Sequence, residues 1–250
     1  MSLIDTADLE TINAASGYRF SATKIDKLGA TEYTLATIVQ DVSGSVSSFA
    51  ASLETAIKTV YKAMAKSPRK DNLLLRFTQF SDGLSETHGF KLLGSIQESD
   101  YDNCLKIGGM TALFDATDEA IQATTAYGKQ LNDQNFFANG IVVVITDGQS
   151  NSGNICDASA IKTSLENARK TENLESINLI LVGVTNDDKN LDAYLQKFVT
   201  DAGITQYVSI GDATPGKIAR LAQFVSQSIS STSAALGSGA TSQPINSFKF

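Results

Sequence analysis

The chain has 250 residues, 42% of them hydrophobic, and its 27 acidic against 20 basic side chains leave a net charge of −7. That length and apolar content suit one domain with a full core and exclude a disordered chain. The acidic balance, with no basic stripe, argues against nucleic acid or an anionic membrane surface as partner.

No apolar run approaches the roughly 20 residues that a membrane span needs. Residues 1–16 carry acids and no apolar core run, so neither a signal nor a transit peptide is expected and the expected location is cytoplasmic. The only cysteines are Cys104 and Cys156, with no C-x-x-C. They read as buried or half-buried thiols in a reducing compartment, not as a disulfide framework.

In chain order, residues 17–28 offer a possible edge strand through Tyr18, Phe20 and Ala22. Residues 34–40 form a short apolar strand that ends at Asp41. Phe49, Leu53, Ile57, Val60, Tyr61 and Met64 then recur at helical spacing, until Pro68 breaks the chain. Leu73–Phe80 reads as the next strand. After the turn Ser81-Asp82-Gly83, residues 87–93 read as a short return strand. Leu113, Ala116, Ala120, Ile121, Thr124, Tyr127 and Leu131 trace a second helix face.

Residues 141–146 are apolar as far as Thr146, as a central parallel strand covered on both faces should be. Ala158, Ile161, Leu165 and Ala168 mark a third helix, and Ile177–Val184 another buried strand. Leu191, Tyr194, Leu195, Phe198 and Val199 form a fourth stripe, residues 207–210 a short strand, and Ile218, Leu221, Ala222, Val225 and Ile229 a last helix. Thr214 is its expected N-cap, with Pro215 in the first turn. From residue 230 the composition turns to Ser, Ala, Gly and Thr, which is flexible-tail composition.

Alternation of strands and helices predicts an α/β fold: a doubly wound, mostly parallel sheet with helices on both faces and one short antiparallel edge strand. The expected organisation is an N-terminal extension over residues 1–32, a domain over 33–230, and a flexible tail over 231–250.

Ligands of open α/β sheets bind outside the carboxyl ends of the strands. Three segments fall there: Asp41-Val42-Ser43-Gly44-Ser45, Gly108-Gly109-Met110-Thr111, and Asp147-Gly148. Together they offer two carboxylates and three hydroxyls. A hard divalent cation wants oxygen donors of this kind, Mg²⁺ first, with Mn²⁺ or Ca²⁺ as alternatives. Zinc is a poor candidate, because the only histidine, His88, lies outside these segments and no thiolates cluster near them. The bland alternative is that Asp41 and Ser45 merely cap the following helix.

These three segments resemble the motifs of von Willebrand factor A (vWA) domains. Asp41-x-Ser43-x-Ser45 is similar to the family's Asp-x-Ser-x-Ser element, the segment ending at Thr111 to its threonine loop, and Ile145-Thr146-Asp147-Gly148 to its second aspartate loop. In that family the three form a metal-ion-dependent adhesion site. The resemblance runs from about residue 33 to residue 229. It implies that Asp41, Ser43, Ser45, Thr111 and Asp147 hold the metal and that a protein partner's Asp or Glu completes the shell. The implied function is recognition and not catalysis. The first setting implied is an intracellular adaptor to an AAA+ ATPase. The alternative is a structural or adhesive component of a surface or virion assembly.

Gly211-Asp-Ala-Thr-Pro-Gly216-Lys217 also fits a phosphate loop, G-x-x-x-x-G-K. Ile218 stands where a Mg²⁺-binding hydroxyl belongs, and the aspartate strand precedes the loop, so a nucleotide hydrolase is disfavoured. No G-x-S-x-G elbow supports a serine hydrolase. His88 reads as a solvated surface histidine, Asp82 as a turn aspartate at the rim of the site, and Asp187-Asp188 as the cap of the following helix.

Overall fold

The computed structural model describes residues 8–14, 17–240 and 242–245. Strands and helices alternate along the chain as β1 (Leu9–Asn13), β2 (Arg19–Thr23), β3 (Glu32–Asp41), α1 (Ala50–Ala65), β4 (Leu73–Phe80), β5 (Leu84–Leu92), α2 (Leu113–Asp133), β6 (Phe137–Thr146), α3 (Ala158–Lys170), β7 (Ile177–Val184), α4 (Lys189–Ala202), β8 (Gln206–Ile210) and α5 (Pro215–Ser238). They build one sheet in the order β1-β2-β5-β4-β3-β6-β7-β8. From β4 through β8 the neighbours run parallel, while β5 is antiparallel to β4 and β1 antiparallel to β2.

The central strands are buried on both faces, which a parallel sheet requires. Along β3, Leu35 and Val39 pack with α2, α3 and α4, while Ala36 and Ile38 pack with α1 and α5. Along β6, Val142 and Val144 take the first face and Ile141, Val143 and Ile145 the second. This alternation carries Asp41 and Thr146 to the α2 side at the carboxyl ends of their strands.

One buried ion pair welds the antiparallel edge to α2. Arg76 on β4 is 2% exposed. Its guanidinium donates to both oxygens of Glu119 on α2, at 2.9 and 2.6 Å, and its Nε donates to Glu86 on β5 at 2.9 Å. The same guanidinium lies over the rings of Phe20 and Phe90, 5.6 and 5.9 Å from their centroids. Glu86 in turn accepts from the Ser21 backbone N–H and hydroxyl, which anchors β2. At Gly89 a Cβ would stand 1.8 Å from the Ser21 carbonyl oxygen, so β2 can lie against β5 only over a glycine.

The structure departs from the sequence expectations in several places, and Cys156, expected to be buried or half-buried, is exposed. The N-terminal edge holds two strands, not one; β1 escapes notice because Ile12 is its one buried side chain. The start of β6 lies four residues before the apolar run, because Asn139 accepts from Thr34 Oγ1 at 2.8 Å and donates to the Thr232 carbonyl at 2.7 Å.

His88 is buried, not solvated. Strand pairing sets it opposite Phe77, and the turn carrying Tyr101 closes over it, with Nε2 2.9 Å from the Tyr101 hydroxyl and Nδ1 2.9 Å from the Gly89 carbonyl. Burial pushes its pKa down to about 4.

The expected tail boundary at residue 231 falls inside α5, which runs on to Ser238. Its last turns bury small hydroxyl side chains, Thr232 and Ser233, where apolar periodicity gives no signal. Ser233 accepts from Arg69 Nε at 3.0 Å. Beyond the helix Ser242 is buried, and residues 241 and 246–250 lie outside the described residues.

Two outcomes are expected. Glu119→Ala should cost about 3 kcal/mol in urea unfolding, because it strands a buried guanidinium, while Arg76→Met combined with Glu119→Leu should recover most of that loss. Truncation after residue 230 should lower Tm by about 2–4 °C through loss of the final turns of α5. Thermal melts that superimpose would place those turns outside the cooperative unit.

Candidate metal centre

The strands β3 and β6 end side by side, with Gln40 opposite Ile145. The next residue of each, Asp41 and Thr146, meet at the carboxyl edge. Asp41 is fully buried, and both of its oxygens are engaged: Thr146 Oγ1 donates to one at 2.6 Å and the Ser43 N–H to the other at 2.8 Å. The chain then winds into a 3₁₀ turn, Gly44–Ser48, which brings the Ser43 and Ser45 hydroxyls within 3.1 Å of each other. Ser45 Oγ donates across to Asp147 Oδ1 at 2.8 Å, joining the first loop to the loop after β6. Thr111 lies against that second loop; a Cβ added at Gly148 would stand 3.3 Å from its Oγ1. The fold thus gathers all five sequence-predicted residues at one end of the sheet.

Backbone contacts fix the loops to one another. The Gly108 N–H donates to the Val42 carbonyl at 2.8 Å and the Gly44 N–H to the Gly109 carbonyl at 3.2 Å. Gly109 has φ +84°, and a side chain there would also run into the Asp82 carboxylate. Asp82 Oδ1 accepts the Met110 N–H at 2.9 Å. It therefore does more than make a turn, since it holds the threonine loop in place. Asn151 Oδ1 accepts the Thr111 N–H at 2.7 Å while the Asn151 N–H returns to the Thr111 carbonyl at 3.0 Å. On the first turn of α2, buried Asp115 accepts from the N–H groups of Asn154 at 2.6 Å and Ile155 at 3.2 Å.

Sequence reasoning missed Asn151, Asp115 and Thr146. Asn151 sits in a polar Gln-Ser-Asn-Ser-Gly-Asn run that reads only as loop. Asp115 reads as a first-turn helix acid, favoured there by the helix dipole. Thr146 at the end of an apolar strand was the one visible signal, a hydroxyl beside the aspartate.

Of the other readings, Asp188 does cap α4, accepting from Asn190 N at 2.8 Å. Thr214 occupies the N-cap position of α5, but its hydroxyl bonds Asp212 and not the helix backbone. In the phosphate-loop look-alike, Lys217 is paired with Asp212 at 2.8 Å.

The electrostatics of the site are unbalanced. Burial raises the Asp41 carboxyl above its ordinary value, against the hydrogen bonds from Thr146 and Ser43. Burial, and then the charge of Asp41, push Asp147 up to about 6. Among the described residues, the ion pairs include neither carboxylate.

A buried carboxylate beside a half-buried one, without a counter-charge, is a costly arrangement that a bound cation would relieve. The oxygen spacings of 2.8 and 3.1 Å match the edge of an octahedron, about 3 Å when oxygens sit about 2.1 Å from a Mg²⁺. The same spacings satisfy ordinary hydrogen bonds, so the loops need not rearrange to serve either state. Among the described residues no group of three or more His, Cys, Asp or Glu side chains is placed to hold a metal ion. The side chains that meet here are two carboxylates and neutral hydroxyls, a set whose chemistry suits a hard cation.

The raised Asp147 pKa has a definite sign in stability. Below the ordinary carboxylate value of about 3.9 the group is protonated folded or unfolded and costs nothing. As pH rises through about 6 the folded chain must accept the charge, and stability falls. With a chelator present, Asp147→Asn should therefore raise Tm at pH 8, and the gain should vanish near pH 4. Calorimetric scans showing the same difference at both pH values would contradict this.

The family model for the von Willebrand factor type A domain matches residues 37–223. No curated protein matches the chain in sequence. Among solved structures, a mutant of the PilB minor pilin from Streptococcus sanguinis aligns at a TM-score of 0.60 and 13% identity, over 90% of this chain and 67% of the pilin. The pilus adhesin SpaC from Lactobacillus rhamnosus GG, in its open conformation, aligns at 0.53 and 12%, over 89% of this chain and 32% of the adhesin. Proximal thread matrix protein 1 from the mussel byssus aligns at 0.53 and 15%, over 90% and 49%. This chain thus spans about two thirds of the first of these and half or less of the others. Identities this low speak for the fold alone, while the family match covers most of the chain, motif loops included. The chain belongs to the von Willebrand factor type A domain family.

Proposed function

We propose that this domain is a metal-dependent interaction module. In this reading Asp41, Ser43, Ser45, Thr111 and Asp147 hold one divalent cation, Mg²⁺ in the first place and Mn²⁺ or Ca²⁺ as substitutes, and a partner's Asp or Glu completes its shell. The observation that carries the reading is the convergence of these oxygen side chains on two carboxylates that lack a cationic partner among the described residues.

The bound cation would act as a Lewis acid facing the partner. The chain's own groups set its strength. Two aspartates nearly balance a divalent charge and the remaining donors are neutral hydroxyls; with one aspartate acting through water, the ion would keep enough positive character to attract an incoming carboxylate. Asp41, with both oxygens already engaged by hydrogen bonds, is held in one orientation at the floor of the site. The family match favours recognition over catalysis.

For the setting we propose a reducing, cytoplasmic one, with an AAA+ ATPase as the partner class the family suggests. Support comes from Cys104 and Cys156, both free, the latter exposed. The pilus and byssus names of the fold relatives would instead suit an adhesive or structural role.

The test joins metal and partner. Calorimetry should find one Mg²⁺ site in the wild type and none in Asp41→Ala. With a dissociation constant of about 0.1 mM, ~1 mM Mg²⁺ would stabilise the fold by roughly 1.4 kcal/mol. Thr111→Ala keeps both carboxylates, so its metal affinity should fall modestly and its partner capture, in pull-downs with and without EDTA, much further. Capture of an ATPase supports the adaptor setting, and capture of a surface component the adhesive one. Capture undiminished by EDTA and by Asp41→Ala would move recognition to another surface and leave these residues a structural clamp.

A further inference from the structure

Two large apolar side chains stand exposed among the described residues, Met110 at 52% and Phe137 at 59%. Phe137 opens β6 and therefore lies at the end of the sheet away from the candidate centre. Met110 precedes Thr111 directly, at the rim of the centre. The neighbouring rim residues Ser45, Ser47, Gln149 and Asn151 are polar and exposed, so Met110 is the one large hydrophobic side chain that stands exposed at this end among the described residues.

The exposure of Met110 is imposed by the backbone. Its own N–H is held by Asp82, the Gly109 carbonyl before it by the Gly44 N–H, and the Thr111 N–H after it by Asn151. Gly108 and Gly109 take positive φ values of 148° and 84°, which turns the chain outward just before the methionine. Three separate loops thus pin a flexible, polarisable side chain in water beside the centre, where a methionine adapts readily to an apolar contact.

We infer that Met110 is a specificity-determining residue: the segment this domain recognises carries an acidic residue flanked by an apolar one, the acid meeting the cation and the apolar side chain covering Met110. This rests on the proposed metal-dependent reading and adds the identity of the neighbouring side chain. An acidic segment with polar neighbours would satisfy the cation and leave Met110 in water. One with a leucine-like neighbour would bury it, and removing apolar area from water favours binding.

The experiment uses the full chain loaded with Mg²⁺ and blocked hexapeptide probes that carry a central Asp flanked on both sides by Leu or by Ser. Affinities are read from amide chemical-shift titrations. The Leu-flanked peptide should bind about fivefold tighter than the Ser-flanked one. Its Asn-for-Asp analogue should not bind. In Met110→Ser the ratio should collapse toward one while calorimetry shows Mg²⁺ binding unchanged, and Met110→Leu should keep the preference.

A wild-type ratio near one, or a ratio that survives Met110→Ser, would overturn this inference and leave the metal-dependent reading standing. If no Asp peptide binds the Mg²⁺-loaded protein, both fall together.

Discussion

The burial of Asp41 governs the arrangement of the carboxyl end of this sheet. A carboxylate with no exposure needs each oxygen answered by a donor. The donors are the hydroxyl of Thr146, from the neighbouring strand, and the N–H of Ser43, two residues on. Satisfying that requirement fixes the direction in which the chain leaves β3. It brings the Ser43 and Ser45 hydroxyls together and sets Ser45 against Asp147. The geometry that could receive a cation is thus a by-product of keeping one buried acid hydrogen-bonded.

Helix α2 ties this end of the molecule to the rest. Thr111 lies just before its first turn, and along the helix follow Asp115, Glu119, Thr124 and Tyr127. These hold, in order, the loop after β6 at Asn154, the buried Arg76, the Thr37 hydroxyl of β3 at 3.1 Å, and the Thr23 carbonyl of β2 at 2.6 Å. One helix therefore sets the threonine loop against the aspartate loop and also closes the antiparallel edge. Polar pairs at such spacing specify the register of a helix against a sheet more sharply than apolar packing alone, because each misplacement leaves a buried group unpaired.

The site carries a stability cost. Asp147, half-buried, is held with a pKa near 6 beside the buried Asp41, an arrangement that weakens the fold at neutral pH. The loops compensate by binding one another through backbone hydrogen bonds and through Asp82 and Asn151, so the donors stay in place when the charges repel. Uncompensated charge concentrated at one end of an otherwise conventionally packed domain is a local departure from stability of the kind that functional sites carry.

The α/β class, the alternation of strands and helices along the chain and the five candidate oxygen side chains were legible in the sequence, because their signals are local. A fully apolar run of strand length must be covered on both faces, and an acid or hydroxyl directly after it must lie at the ligand-bearing edge. What the chain alone could not disclose is which distant groups meet. Asn151 and Thr111 are 40 residues apart, Asp82 and Met110 are 28, and Asp115 and Asn154 are 39. Their roles exist only after the helices have docked on their faces. The burial of His88 waited on the turn that brings Tyr101 over it. The last turns of α5 pack through serine and threonine, which composition reads as a tail. Local periodicity records which face of an element is apolar; the partner of each polar group is decided by the tertiary fold, because hydrogen bonds between distant loops leave no pattern in the spacing of residues.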